Sequence, residues 1–423
     1  MTLFKKPISI SFAPNVEIDD FLLALKLLLP AFLGRSDKQW VKKLEDSFKQ
    51  YLGVTDAFAF SSGRAAFYYI LKSLSLAPRD EILIQAFTCV AVPNAILWAE
   101  LTPVYVDIDK HTFNMDCDDL KKKLTSKSKV IVVQHTFGIP SNMDEIKKIA
   151  QHNNLIIIED CAHSLGAEYE GKKVGSLSDV AFFSFGRDKV ISSVFGGMVT
   201  TNNKKVAINL QHFYKNLESP ARFFVIKQLL YIILYTLLLP FYNMLIGKLI
   251  LKLLFAGNIL SKAVSEEEKK AALPEFINYQ LSPFLARLAQ HQLEKVSRFN
   301  NHRQQIARIY IETLKNNTGT KIAAHSNSKP VYLRFPVLVT NKYDLLKKAQ
   351  NKGIHLGNWY ENPITPKPYD VSTFKYKRGS CPVAEKVCPM VINLPTHINL
   401  KKTDAQLIAN VVSHYLNSDI NKP

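Results

Sequence analysis

Between residues 55 and 200, short β-rich runs alternate with stretches of helical spacing. In order they are DAFAF, a helix from about Ala65, EILIQ, VPNAILWAE, PVYVDID, KVIVVQ, MDEIKKIAQHN, LIIIED, VAFFSF and GMVTT. Strands separated by helices read as βαβ units, so the pattern predicts an α/β domain with a mostly parallel sheet covered on both faces. In such sheets ligands bind beyond the carboxyl ends of the strands, which makes the residues just after each apolar run the ones to inspect for chemistry. From about 276 to 315 apolar residues recur at three-and-four spacing, as in one or two long helices. The pattern then changes to YLRFPVLVT, a helix at KYDLLKKAQNKGI and the proline-rich WYENPITPKP, the outline of a smaller α+β domain with a boundary near NNTGTK, residues 316–321. The division expected is an N-terminal arm and helix (1–34), a large α/β domain (35–315) and a small α+β domain (318–423).

One stretch departs from this pattern. Residues 223–255, FFVIKQLLYIILYTLLLPFYNMLIGKLILKLLF, contain an uncharged run from Gln228 to Gly247. As a helix it is long enough to cross a hydrocarbon core of about 30 Å.

Composition narrows the picture further. The chain has 423 residues, 47% of them hydrophobic, enough for one large core or two ordinary ones. Lys and Arg outnumber Asp and Glu by 54 to 36, a net charge of +18, which favours anionic partners without choosing among nucleotides, phosphates and an acidic membrane surface. Nucleic-acid binding rests on that charge alone, since no zinc-finger spacing or aromatic RNA-binding motif accompanies it. Cysteines at 89, 117, 161, 381 and 388 form no CxxC pair, so neither a metal site nor a disulfide framework is indicated, and a reducing cytoplasm is expected. The first twenty residues hold no apolar run of signal-peptide length.

Four stretches at strand ends carry candidate chemistry. SSGRAA (61–66) leads directly into a helix, whose free N–H groups and positive dipole end suit a phosphate, although Ser and Gly also serve as plain caps. IIIEDCAHS ends a strand on Glu159 and Asp160, either a helix cap or a cofactor contact. After VAFF come Ser184 and Lys189, and Gly196-Gly197 lets the chain turn back tightly. A phosphate cradle, a carboxylate, a hydroxyl and an amine at one sheet edge are what pyridoxal phosphate (PLP) requires.

The ordered motifs SSGRAA, FTCVAVPNAI, PVYVDID, HTFGIPSNMDEI, EDCAHSLGAEYEGKKVGSLSDVAFFSF, K, GGMVTT, INYQ and HQLEKV, with GIHLGNWYENPI and INLPTH near the C-terminus, resemble the DegT/DnrJ/EryC1/StrS family of PLP-dependent sugar aminotransferases. The resemblance spans about 35–211 and 272 to the end. It implies the fold-type-I architecture of aspartate aminotransferase, with a mostly parallel seven-stranded sheet, helices on both faces and a smaller C-terminal α+β domain. By this resemblance Lys189 matches the lysine that carries the cofactor, Asp160 the acid opposite the pyridine nitrogen, and His163 the group that bonds the ring's phenolic oxygen. Ser184 matches a phosphate ligand, with Ser62, Gly63 and Arg64 contributing from the helix start. Asn278 matches an asparagine that reaches the neighbouring subunit's phosphate, which implies a homodimer with shared active sites. The implied reaction moves an amino group from an amino acid, commonly glutamate, to a keto sugar, usually nucleotide-linked, for cell-surface polysaccharide or glycan synthesis. The alternatives are a non-catalytic membrane-associated homologue and a PLP-dependent sugar dehydratase, whose known relatives replace the lysine.

The chain departs from the family at several points. Arg64 stands where a small residue is usual, Cys89 where many relatives place an aromatic ring over the cofactor, with Phe87 nearby, and Gln280 where an arginine is common. Arg187 reads equally as a substrate-phosphate contact or a solvated loop charge. Residues 213–262 form an insertion relative to the family pattern. A single membrane crossing there would put Lys189 and Asn278 on opposite sides and prevent the shared site. What remains is a hairpin dipping into one leaflet with bends near Pro240 and Gly247, interfacial helices on an anionic membrane surface, or a buried dimer contact. Lys215, Arg222, Lys227, Lys248, Lys252 and Lys262 punctuate the run, as snorkelling side chains do. A peripheral or monotopic position at the inner face of the membrane is thus an added expectation.

Overall fold

Seven strands build the central sheet: β1 (Asp56–Phe60), β2 (Glu81–Gln85), β3 (Thr102–Val106), β4 (Ser128–Gln134), β5 (Ile156–Asp160), β6 (Val180–Ser184) and β7 (Gly197–Thr201). Their spatial order is β3-β2-β4-β5-β6-β7-β1, and every neighbouring pair is parallel except the two made by β7. The computed structural model describes residues 7–11, 13–242, 245–257, 259–316 and 324–420. The fold class expected from the sequence, a mostly parallel seven-stranded sheet inside an α/β unit, is the one found. The 316–321 boundary falls largely on 317–323, outside the described residues.

The strand interiors are Ile, Val, Phe and Ala because helices cover both faces and leave no solvated side. Ile82, Ile84, Val130, Val132, Ile158, Val180 and Phe182 fill the core on one side with α3 (Gly63–Ser73) and α4 (Ala91–Trp98). Leu83, Ile131, Val133 and Ile157 fill the other with α5 (Met143–His152). Parallel register brings Gln134 opposite Asp160, and Asp160 opposite Phe182, so polar strand ends converge on one edge.

Helix α1 (Ile18–Leu33) and α2 (Gln39–Leu52) precede the sheet. After β7 the apolar insertion forms α6 (Arg222–Leu238), a tight turn through Pro240, and α7 (Leu245–Ala256). A Cβ on Gly247 would lie 2.2 Å from the Phe241 carbonyl oxygen, so glycine lets α7 begin against that turn. Helix α6 packs along α1, where the small, buried Ala24 and Ala31 permit close approach. Its inward face buries Val225, Gln228, Leu229, Ile232 and Tyr235, the three-and-four spacing of one helix side. Arg222–Phe241 is the one stretch among the described residues that is long and apolar enough to cross a membrane, and 44% of its most apolar 18 residues are buried inside the protein.

Helices α8 (Pro283–Leu293) and α9 (Val296–Leu314) follow. Helix α9 bridges two cores: Val296 packs with the large one. Ile306, Tyr310 and Leu314 pack with β8 (Arg334–Leu338), β9 (Val391–Pro395) and α10 (Lys402–Ile420).

Candidate active site

Helix α3 starts in contact with the ends of β6 and β7. A Cβ on Gly63 would lie 2.8 Å from Ser184 Cβ, and one on Gly197 would lie 2.4 Å from the Ser62 carbonyl carbon, so only glycines allow this approach. Ser62 caps the helix by accepting from the Ala65 N–H at 3.1 Å. The N–H groups of Gly63 and Arg64 precede the first intrahelical bond and form the positive end of the dipole, beside Ser184.

Asp160 ends β5 and is buried. Its Oδ1 accepts from the Ala162 N–H at 3.0 Å. Burial pushes its pKa up, opposed by that N–H and by the charge of Lys189. Glu159, one residue earlier, points to the opposite face of the sheet, as strand alternation requires. It accepts from the N–H groups of Gly175 and Leu177, from Ser178 Oγ and from His135 Nε2. Burial alone would raise its pKa, but these donors, His135 first, hold it below the usual carboxylate range. Strand position alone leaves both acids open between cap and cofactor contact, and the resemblance points to Asp160; the structure has Glu159 as a saturated structural carboxylate and Asp160 beside a cavity. His135, Glu159 and Cys161 come close enough to group around a metal. The same donors already occupy Glu159, and His135 Nδ1 accepts from the Ser141 N–H.

That cavity is lined by Ser62, Gly63, Arg64, Cys89, Asp160, His163, Ser184, Arg187 and Lys189, with Trp359 and Tyr360 from far along the chain. Lys189 Nζ lies 5.7 Å from the centroid of the Trp359 ring. Its loop is held from several sides: Asn15 donates to the Lys189 carbonyl, Arg303 donates to the Val190 carbonyl at 2.9 Å, and the adjacent Asp188 pairs with Arg334. His163 Nδ1 accepts from the Phe137 N–H at 3.3 Å, which leaves Nε2 as its donor, 3.5 Å from Tyr360 Oη. Burial, reinforced by the charges of Lys189 and Arg334, holds the His163 pKa well below normal, so the ring is neutral. Burial raises the Cys89 pKa, and the thiol stays protonated.

Several sequence candidates are placed differently from one another. The Arg64 guanidinium is committed to the buried Glu268 and to the Ala263 carbonyl, 2.7 Å away, so its backbone N–H is the group left for an anion. Phe87 is fully buried against Phe113 and lies outside the cavity lining. Asn278 is exposed, also outside the lining, and its Oδ1 accepts from Tyr69 Oη at 3.1 Å. Gln280 donates to the Leu217 carbonyl. Trp359 and Tyr360 have no role assigned by the motifs; it is the packing of this distant segment against the main core that brings them here.

This donor set fits PLP. A buried carboxylate answers a protonated ring nitrogen, a neutral imidazole N–H answers a ring oxygen, a helix N-terminus with a serine answers the phosphate, and an amine stands in the same cavity.

Comparison with known proteins agrees with this fit. The model of the DegT/DnrJ/EryC1/StrS aminotransferase family matches residues 33–218 and 260–413. The gap between the two matches covers helices α6 and α7. GDP-perosamine synthase of Escherichia coli O157:H7 is 26% identical over 90% of this chain and 91% of its own length. The dTDP-3-amino-3,6-dideoxy-alpha-D-galactopyranose transaminase of Aneurinibacillus thermoaerophilus is 26% identical over 89% and 90%. An aminotransferase structure from Psychrobacter cryohalolentis superposes with a TM-score of 0.74 at 20% identity, covering 96% of this chain and 99% of that one.

Proposed function

The chain belongs to the DegT/DnrJ/EryC1/StrS aminotransferase family and is a PLP-dependent aminotransferase; from that premise we propose that it aminates a keto sugar carried on a nucleoside diphosphate, taking the amino group from an amino acid such as glutamate. The observation that carries the reading is the convergence of Lys189, Asp160, His163 and the start of α3 on one cavity. Relatives whose names specify GDP- or dTDP-linked sugars support the acceptor class, and the surplus of basic residues suits a diphosphate. The product then serves reactions that build cell-surface polysaccharide or another glycan.

When bound, PLP supplies an electron-accepting ring that makes the α-proton of an amino acid removable. Lys189 Nζ would hold the cofactor, and its free amine would be the base that takes and returns that proton. Asp160 keeps its negative charge directed at the ring nitrogen, and the backbone bond from Ala162 fixes its orientation. His163, its pKa held well below normal by burial, would donate from Nε2 of a neutral ring. Ser62, Ser184 and the N–H groups of Gly63 and Arg64 would hold the phosphate. Cys89, protonated, would offer the cofactor a small apolar side chain.

Asn278, exposed and outside its own cavity, supports a homodimer in which each subunit completes the other's site. The outward faces of α1 and α6–α7 support contact with an anionic membrane surface on the cytoplasmic side. Ile18, Leu22, Leu25, Leu29 and Phe32 form one exposed stripe on α1, and Phe223, Leu237, Leu249 and Leu253 are exposed on the insertion. Between Pro220 and Ser265 every charged residue is Lys or Arg. A screen of amino donors and keto-sugar nucleotides, following the absorbance change as the cofactor becomes its amine form, tests the reading with and without lipid. Conversion by an amino acid and reversal by a nucleotide keto sugar is expected; a cofactor that no amino acid converts removes it.

A further inference from the structure

Two arginines reach from the cavity to the insertion and the segment just after it, and they are treated oppositely. Arg64 meets a carboxylate, Glu268. Arg187 meets none among the described residues: the neighbouring Asp188 is taken by Arg334. The Arg187 guanidinium lies 4.2 Å from the centroid of the Tyr231 ring on α6. Its Nη2 donates to Ser261 Oγ at 2.6 Å, and that hydroxyl donates in turn to Gln228 Oε1 at 2.9 Å. Gln228 is fully buried on α6 and anchored by donating to the Phe224 carbonyl. Arg187 Nε is buried and has no hydrogen-bond partner. An aromatic face and a neutral hydroxyl orient a cation but do not neutralise it, and a half-buried guanidinium with no ion-pair partner gains when an anion joins it.

Arg187 lines the same cavity as Lys189, two residues away, so the anion that joins it arrives with a substrate. We infer that Arg187 is a substrate-anion-binding residue and that the apolar insertion, through Tyr231, Gln228 and Ser261, is the device that holds it in place. The insertion is therefore part of the active site as well as an outer surface. This rests on the aminotransferase reading above. The anion is an oxyanion of one of two substrates, the acceptor's diphosphate or the donor's distal carboxylate.

The test uses PLP-loaded holoenzyme and two probes, inorganic diphosphate and glutarate, with binding measured by calorimetry and by the shift each causes in cofactor absorbance. Arg187→Gln is expected to weaken one probe about ten-fold or more and leave the other within two-fold, identifying the source; Arg187→Lys recovers part of the loss. Ser261→Ala and Tyr231→Leu are expected to weaken the same probe about three-fold to ten-fold, with the cofactor still attached. They carry the test if Arg187→Gln does not fold. The assignment is overturned if Arg187→Gln binds both probes like wild type, if wild-type holoenzyme binds neither, or if the variants lose cofactor in step with the probe. Failure of the aminotransferase reading looks different, since the wild-type holoenzyme would then show no conversion by any amino acid.

Discussion

The carboxyl edge of the sheet and the α6–α7 insertion use apolar sequence in opposite ways. In the sheet both faces of each strand are covered, so apolar side chains are used up inside and the polar residues at the strand ends are pressed together. Asp160, Ser184 and the start of α3 meet there with few competing partners. In the insertion only one face is covered. Helix α6 buries Gln228 and Tyr231 toward the Arg187 loop and turns Phe223 and Leu237 outward. Saturated burial makes a reactive site, whereas half-burial gives one helix two tasks, an inner one of holding a charge and an outer one of meeting another surface.

The largest effects that sharpen this contrast lie at the sheet edge. Lys189→Ala should lower transamination by about a thousand-fold or more and abolish borohydride trapping of PLP, read by peptide mapping. The two acids of β5 should then divide. Asp160→Asn should cost roughly 100- to 1,000-fold in rate with little change in thermal midpoint. Glu159→Gln should destabilise the fold by about 2–5 kcal/mol in denaturant titration, because four donors lose a buried carboxylate. A rate defect in Glu159→Gln without a stability defect would break the division.

At the outer face, replacing Leu25 and Leu29 with Gln should lower binding to acidic vesicles about ten-fold or more in flotation and leave activity in solution unchanged. If wild type itself stays unbound whether or not acidic lipids are present, the membrane reading fails and a protein contact is left for that face.

The smallest effect is a pH dependence. Burial raises the pKa of Glu45, on α2, to about 7, against the stabilising bond from the Ala59 N–H. An acid whose folded pKa is raised binds more protons folded than unfolded, so its contribution is fully present below about pH 4.5 and is lost as pH rises through about 7. Glu45→Gln should remove roughly 2–3 kcal/mol of that slope in stability measured across the range.

Much of the fold was legible in the sequence because the alternation of strand and helix runs is local, and a strand's length and composition show where its carboxyl end lies. Lys189, Asp160 and Ser184 could be named for the same reason: each sits at a strand end or just beyond it. Strand position alone does not tell Glu159 from Asp160; the family resemblance singles out Asp160, and the loop 175–178 packing on one face of β5 saturates the other acid. Nor could Trp359, Tyr360 and Glu268 be placed, because their approach depends on how distant segments dock. The chain by itself determined the sheet, the strand ends and the presence of an apolar excess. Tertiary structure decided which charges found partners, and Arg187 stands apart from Arg64 because a half-buried charge is defined by what packs around it, which no stretch of neighbours in sequence specifies.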